Sequence, residues 1–295
     1  MKSYPFFSMW GIFILLFSML LSNNLISQIY LTEDWVQTSG IPDTVDYSAC
    51  KVDGSGNVYV TTNTISATEK ANILTTKYNS SGVVQWQVEK DNADENDYGS
   101  AIEVDGSGNV YVGAATWVDG TNKYDYLVIK YNSSGTQQWT ATYNGAGNFY
   151  DIPTDILVDG SGNVYVTGAS YGSGTLSDFC TIKYNSSGTT QWNSRYDYSS
   201  DQDIAAIIKE APSGRIYIVG ASENAPGVWD FAAIKYNQST GAQLAVNRNS
   251  ASGSGFDQVF SADVDASGNI YLAGRASVVD EGFNLRTVKI DTALS

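Results

Sequence analysis

Histidine is absent from the 295-residue chain. Its absence removes every Ser-His-Asp or Cys-His catalytic set, every His-bearing zinc site and the usual proton shuttle near neutral pH. Cysteine is scarce: Cys50 and Cys180 are the two present. They fall at unlike positions of the repeat described below, so their placement supports no disulfide, and both read as buried small hydrophobes. Positive charge is also thin, with 16 Lys and Arg against 31 Asp and Glu and a net charge of -15. That is the wrong sign for a surface built to hold nucleic acid or anionic lipid. Only 5 prolines occur, against 28 Gly, 20 Tyr and 7 Trp. Short apolar runs separated by Gly, Asn and Ser describe an all-β chain with many tight turns. At about 100 to 200 residues per domain, the length suffices for a sizeable core without disulfide staples.

The N-terminus carries Lys2, an almost unbroken apolar run from Phe6 to Leu21, a polar stretch at Ser22 to Asn24, and the small residue Ser27. This is the layout of a secretory signal peptide, assigned here to residues 1–27, with the mature domain expected over 28–295. The alternative is a permanent membrane helix, but the run is short for that. No second segment of spanning length follows, so the mature protein is expected outside the cytoplasm, secreted or at the cell surface, as a monomer.

Self-comparison shows a repeat. The string Val-Asp-Gly-Ser-Gly-Asn-Val-Tyr-Val starts at Val52, Val104 and Val158, and weaker forms surround Gly214 and Gly268. Its second glycine stands at Gly56, Gly108, Gly162, Gly214 and Gly268, a period of about 53 residues. Lys-Tyr-Asn-Ser-Ser-Gly starts at Lys77, Lys130 and Lys183 and degenerates at Lys235 and Lys289. Such a period, with several short strands and no helical pattern, predicts propeller blades. Each unit resolves into strands a to d. The Gly-Ser-Gly-Asn turn joins a to b, with glycine supplying positive φ. Strand d holds Trp86, Trp139 and Trp192, which are expected to wedge between blades; Ala245 takes that place in the fourth unit.

The repeated core, with Gly-Ala-Ser following at Gly168 and Gly220, resembles the bacterial SBBP-type β-propeller repeat family and, more distantly, NHL repeats. Asn-Ser-Ser-Gly-x-x-x-Trp looks like the tryptophan-docking motif of quinoprotein propellers. The resemblance covers nearly all of Trp35 to Leu294 and implies the fold and an exported setting. It transfers no catalytic residue, and the adjacent cysteines a quinoprotein enzyme would need are not here.

Several positions are candidate sites. Asp-Gly-Ser-Gly-Asn invites comparison with an EF-hand, but loop position 12 holds Thr64, Thr116 or Ser170 rather than Glu. The Asn-x-Ser sequences at Asn79, Asn132, Asn185 and Asn237 match glycosylation acceptors but sit where turn chemistry favours the same residues. Asp97, Asp151, Asp203 and Asp257 stand eleven residues before the turn glycine, and Asn72, Asp125, Asp178, Asp230 and Asn284 five before the repeated Lys. Both sets belong to one end of the blades. They read first as acceptors for backbone N–H groups and second as a Ca²⁺ or sugar site, with Asp97, Asp151, Asp203 and Asp257 the metal candidates. Otherwise no cofactor is expected. Loops of the same end differ between units and carry aromatics, of which Trp117, Tyr124, Tyr150, Tyr171 and Trp229 are the ligand-binding candidates. Glu95, Glu223 and Glu281 break the repeat symmetry but have no evident partner, so no catalytic residue is assigned.

The expected architecture is a five-bladed propeller of four-stranded blades. The fifth unit lacks a strand d, whereas Trp35 stands 21 residues before Gly56, the spacing of a strand-d tryptophan. The N-terminal strand should therefore pair with strand c near Lys289 and close the ring. The expected function is a non-catalytic binding or structural scaffold for protein or glycan partners at the cell surface. A lectin-like carbohydrate-binding ring and a carbohydrate-active hydrolase with channel-mouth carboxylates are the alternatives.

Overall fold

A computed structural model describes residues 35–36, 49–65, 70–91, 96–118, 123–212, 214–250, 255–278 and 282–292. The segment read as a signal peptide lies outside them, as do Glu95 and Glu281. Among the described residues the chain is all-β, and no helix is long and apolar enough to cross a membrane.

Among the described residues nineteen strands form five antiparallel meanders. The first sheet is β1 (Ala49–Val52), β2 (Val58–Ile65), β3 (Ala71–Tyr78) and β4 (Val84–Lys90). The second is β5 (Asp97–Val104), β6 (Val110–Val118), β7 (Lys123–Tyr131) and β8 (Gln137–Tyr143). The third is β9 (Asp151–Val158), β10 (Val164–Tyr171), β11 (Ser177–Tyr184) and β12 (Thr190–Tyr196). The fourth is β13 (Asp203–Ala211), β14 (Arg215–Ala225), β15 (Val228–Asn237) and β16 (Gln243–Asn249). The fifth has three strands: β17 (Gln258–Val264), β18 (Ile270–Val278) and β19 (Gly282–Ile290). A fourth strand beside β19 is not present among the described residues. The N-terminal partner expected for it lies outside them apart from Trp35 and Val36.

The third strand β11 is buried along its whole length and β3, β7 and β15 along most of theirs, whereas the outer β4 and β8 alternate between solvent and core and β19 is largely exposed. The apolar faces meet in four successive junctions, first sheet on second through to fourth on fifth. Every junction is built of Tyr, Ile, Val and Ala from two neighbouring sheets. First strands β5, β9, β13 and β17 each carry a β-bulge against the second strand. The bulged Ser100 and Thr154 donate to the carbonyls of Pro153 (2.7 Å) and Ala205 (2.9 Å) on the next sheet. One interruption thus bends the strand and stitches the sheets.

The repeat motifs build the ends of the sheets. Gly56, Gly108, Gly162, Gly214 and Gly268 have φ between 66° and 83°. The indoles of Trp86, Trp139 and Trp192 reach to the following sheet, donating to the carbonyls of Ser133 (3.0 Å), Ser186 (3.0 Å) and Gln238 (3.2 Å). Each covers a turn glycine of that sheet, Gly135, Gly188 or Gly241, where a Cβ would fall at 2.8 Å or less from the ring. Of the two cysteines, Cys180 is buried but Cys50 is exposed. The expectation for Cys50 is corrected by β1, which shows solvent its Cys50, Lys51 and Val52.

Candidate functional site

The Asp-Gly-Ser-Gly-Asn turns are closed structural units. Asp159 Oδ1 accepts the amides of Ser161 (2.9 Å) and Asn163 (3.0 Å), and its Oδ2 accepts from the Asn163 side chain (2.8 Å) and the Tyr165 hydroxyl (3.0 Å). Asp53, Asp105 and Asp265 repeat the pattern. Burial pushes the Asp53 carboxyl up, but hydrogen bonds from Asn57, Ser55 and Tyr59 outweigh it and hold the group at about 2. The repeated Lys lies over the ring of the same Tyr, 5.0–5.2 Å from its centroid for Lys77, Lys130, Lys183 and Lys289. These carboxylates are fully engaged as turn acceptors.

At the opposite end, four of the five aromatic candidates come together. Trp117 on β6 meets Tyr124 on β7 edge-on at 4.8 Å, and Tyr124 stacks on Tyr150 at 6.1 Å. Phe149 joins Tyr150 (4.4 Å) and Tyr171 (4.9 Å). Tyr98, which sequence reasoning passed over because it lies inside β5, packs on Tyr124 at 5.7 Å. The six rings run unbroken across the loop ends of the second and third sheets. Most are half-buried and Phe149 is exposed. Trp229 does not belong to the group: it is buried against Phe256 (5.6 Å) in a small cavity with Ile204 and Val259. The register of β15 turns it into the junction between the fourth and fifth sheets.

Beneath the loops the second, third and fourth sheets each carry a polar row. Asp97, Thr116 and Asp125 lie opposite one another on β5, β6 and β7. Asp151, Ser170 and Asp178 do so in the third sheet, and Asp203, Ser222 and Asp230 in the fourth. Directly opposed residues share a face, so the alternation places three polar groups in a line. The four metal candidates, Asp97, Asp151, Asp203 and Asp257, are buried. Asp97 accepts from the Thr116 hydroxyl (2.5 Å), Asp151 from the Gly145 amide (2.6 Å), Asp203 from the Tyr198 amide (2.7 Å) and Asp257 from Arg286 (2.9 Å).

Arginine completes some rows. Arg195 binds Ser170 and Asp178 (2.6 Å to Oδ2), and Arg248 binds Ser222 and Asp230 (2.9 Å) in the same manner. Their shared spacing, three residues after Trp192 and after Ala245, was the signal that could have revealed them. In the second sheet the aligned residue of β8 is Thr142, which brings no charge. Burial first, and then Asp151, pushes Asp125 up to about 6 although Lys123 opposes the shift. Burial also raises Asp151. The aromatic chain therefore lies beside a pair of buried acids with a raised proton affinity. Glu223 is buried too, its oxygens accepting the Gln202 (3.2 Å) and Gly227 (2.6 Å) amides that shape two loops.

No protein-family model and no curated protein matches the chain. Solved structures do. A protein of unknown function from Dyadobacter fermentans DSM 18053 matches with a TM-score of 0.53 at 8% identity, over 83% of this chain and 78% of that one. A polysaccharide lyase of family PL25, an ulvan lyase bound to -[GlcA(1-4)Rha3S]-, matches with a TM-score of 0.50 at 14% identity, over 82% of this chain and 68% of that one. At these identities the likeness is one of fold.

Proposed function

We propose that the chain is an exported propeller of SBBP-type repeats that binds carbohydrate on the aromatic chain of its second and third sheets. The observation that carries this reading is the continuous run of Tyr98, Trp117, Tyr124, Tyr150, Phe149 and Tyr171. Rings fixed on a rigid sheet offer flat apolar area to the C–H faces of sugars, and tyrosine hydroxyls offer hydrogen bonds at their rims. The fold likeness to a protein solved with a glycan is in keeping with a sugar ligand, and the acidic surroundings here favour a neutral sugar over the anionic GlcA-Rha3S unit of that protein. A net charge of -15 leaves nucleic acid the disfavoured partner. Five complete blades, with the segment around Trp35 serving the fifth, are part of the same reading.

Glycan-array screening and calorimetry on the mature chain test it. Trp117→Ala and Tyr150→Ala should each weaken the selected glycan at least tenfold, on the order of 1.4 kcal/mol, with the fold intact. Equal affinity in both variants would remove the aromatic chain as the site. A second reading, catalysis, is favoured by Asp125 and Asp151 beside the same rings, since a raised carboxyl can act as an acid. Product analysis of the same incubations separates the two, and a catalytic site would lose turnover in Asp125→Asn.

A further inference from the structure

At the junction of the third and fourth sheets, three carboxylates converge. Asp178 lies on β11, Asp203 begins β13, and Asp197 stands in the loop between β12 and β13. One oxygen from each lies within 4.8 Å of the other two. Asp178 and Asp203 are 2% and 0% exposed. Half of their bonding capacity is used: Asp178 Oδ2 accepts from Arg195 (2.6 Å) and Thr175 (2.9 Å), and Asp203 Oδ2 accepts the Tyr198 amide. The other two oxygens, Oδ1 of Asp178 and Oδ1 of Asp203, are sealed from solvent and receive no hydrogen bond of good geometry, the Ser222 hydroxyl being the donor that still acts on Asp203. A buried carboxylate oxygen without a donor is costly, and two in one junction repel each other as well.

Charge decides what would relieve them. Three ionised carboxylates offset by Arg195 would leave two negative charges, the complement of a divalent ion; burial, with Asp178 nearby, holds the Asp203 carboxyl up at about 7, so full ionisation of the set calls for a cation. Arg248, the other guanidinium near the loop, is committed to Asp230 and Ser222 and lies over the Tyr198 ring at 3.5 Å. The other junctions differ. Where Asp125 faces Asp151, Lys123 supplies a positive charge, and where Asp257 opens the fifth sheet, Arg286 pairs with it. Buried carboxylate oxygens without a donor also occur on Asp125 and Asp151, but at the junction of the third and fourth sheets two such acids are joined by a third, Asp197.

We propose that Asp178, Asp197 and Asp203 bind a hard divalent cation of the Ca²⁺ class, which pins the β12–β13 loop to the third sheet. An all-oxygen set selects Ca²⁺ over softer metals, and water completes its coordination. The proposal is independent of glycan binding.

The test uses the full secreted chain stripped with chelator, then titrated with CaCl₂ by calorimetry and by thermal melting. One saturable site and a rise in melting temperature are expected. Asp197→Asn, at an exposed position where the amide oxygen can still accept the Ser200 N–H, should weaken binding at least tenfold. Asp201→Asn, a half-buried acid of the same loop outside the triad, should leave it unchanged. A chain that binds no Ca²⁺ at millimolar concentration would overturn the proposal. So would unaltered binding in Asp197→Asn, or an equal loss in Asp201→Asn, which would mark diffuse attraction to an acidic loop.

Discussion

At the scale of single residues, Asp155 shows how this fold uses burial. It lies on β9, where Oδ1 accepts the Ile156 amide (2.9 Å) and Oδ2 reaches the Ile208 amide of the next sheet (2.8 Å). The polar cavity between first strands holds it beside Lys209, Glu103 and Lys51, and Lys51 is paired with Glu103 at 2.6 Å. Burial raises Asp155 from 3.8 to about 6; its two amide donors and Lys209 pull the other way, and Glu103 adds to the rise. The folded protein therefore holds this proton more tightly than the unfolded chain. Wherever the folded state binds more protons, stability falls as pH rises. Asp155 should thus contribute a loss of stability between pH 3.8 and about 6. Asp155→Asn, which keeps an acceptor oxygen, should flatten that slope in urea unfolding followed across pH. An unchanged slope would mean that the group ionises as freely folded as unfolded.

At the scale of elements, the a–b turn is the most repeated device. Asp159 satisfies four donors from residues that the turn alone would leave unpaired. Asp159→Ala strands the Tyr165 hydroxyl in a buried position, so a cost of about 1–3 kcal/mol is expected in chemical denaturation. Asp263→Ala, where the carboxylate bonds only its neighbour's amide, should cost less than half as much. The turn was legible in the sequence because the four donors that Asp53, Asp105, Asp159 and Asp265 share lie within six residues, and local chemistry repeats with the motif; the Gln238 amide on Asp159 is a long-range addition. So were the strands, whose limits follow the alternation of turns and apolar runs. The aromatic chain was only partly legible. Four of its rings stood out as loop residues, but Tyr98 reads as an ordinary strand residue and Trp229 reads as a loop residue while the register of β15 buries it. The triad of Asp178, Asp197 and Asp203 was illegible for a different reason. Asp197 stands five residues after Trp192, as Asp91 and Asn144 follow Trp86 and Trp139, but only the packing of two sheets brings it to the other acids.

At the scale of the whole molecule, the question is what covers the outward face of the fifth sheet. In the second and third sheets, the bulged residues Ser100 and Thr154 point to the sheet that follows. The bulged residue of β17 is Phe260, and it is 60% exposed. Phe283 and Leu285 of β19 are 56% and 85% exposed, and Arg275 lies among Phe256, Phe260 and Phe283 at 4.4–5.7 Å. This is the face that a following sheet would bury. At the other end of the order, Trp35 already occupies the position of a preceding tryptophan. Its indole donates to Ser80 O (3.2 Å), stacks on Tyr78 (5.9 Å) and covers Gly82, as Trp86 covers Gly135. A tryptophan docked there in the manner of Trp86, Trp139 and Trp192 is what a fourth strand beside β19 would bring. If the ring closes this way, Trp35→Ala should cost as much as Trp139→Ala, about 3–5 kcal/mol, and both should lower the melting temperature together. Deleting residues 28–39 should leave the edge of β19 and its phenylalanines open and drive the chain into oligomers, read by light scattering. If Trp139→Ala were costly while Trp35→Ala and the deletion left a monomer of unchanged melting temperature, the first and fifth sheets would not share a blade. The exposed face of the fifth sheet would then need a partner from elsewhere.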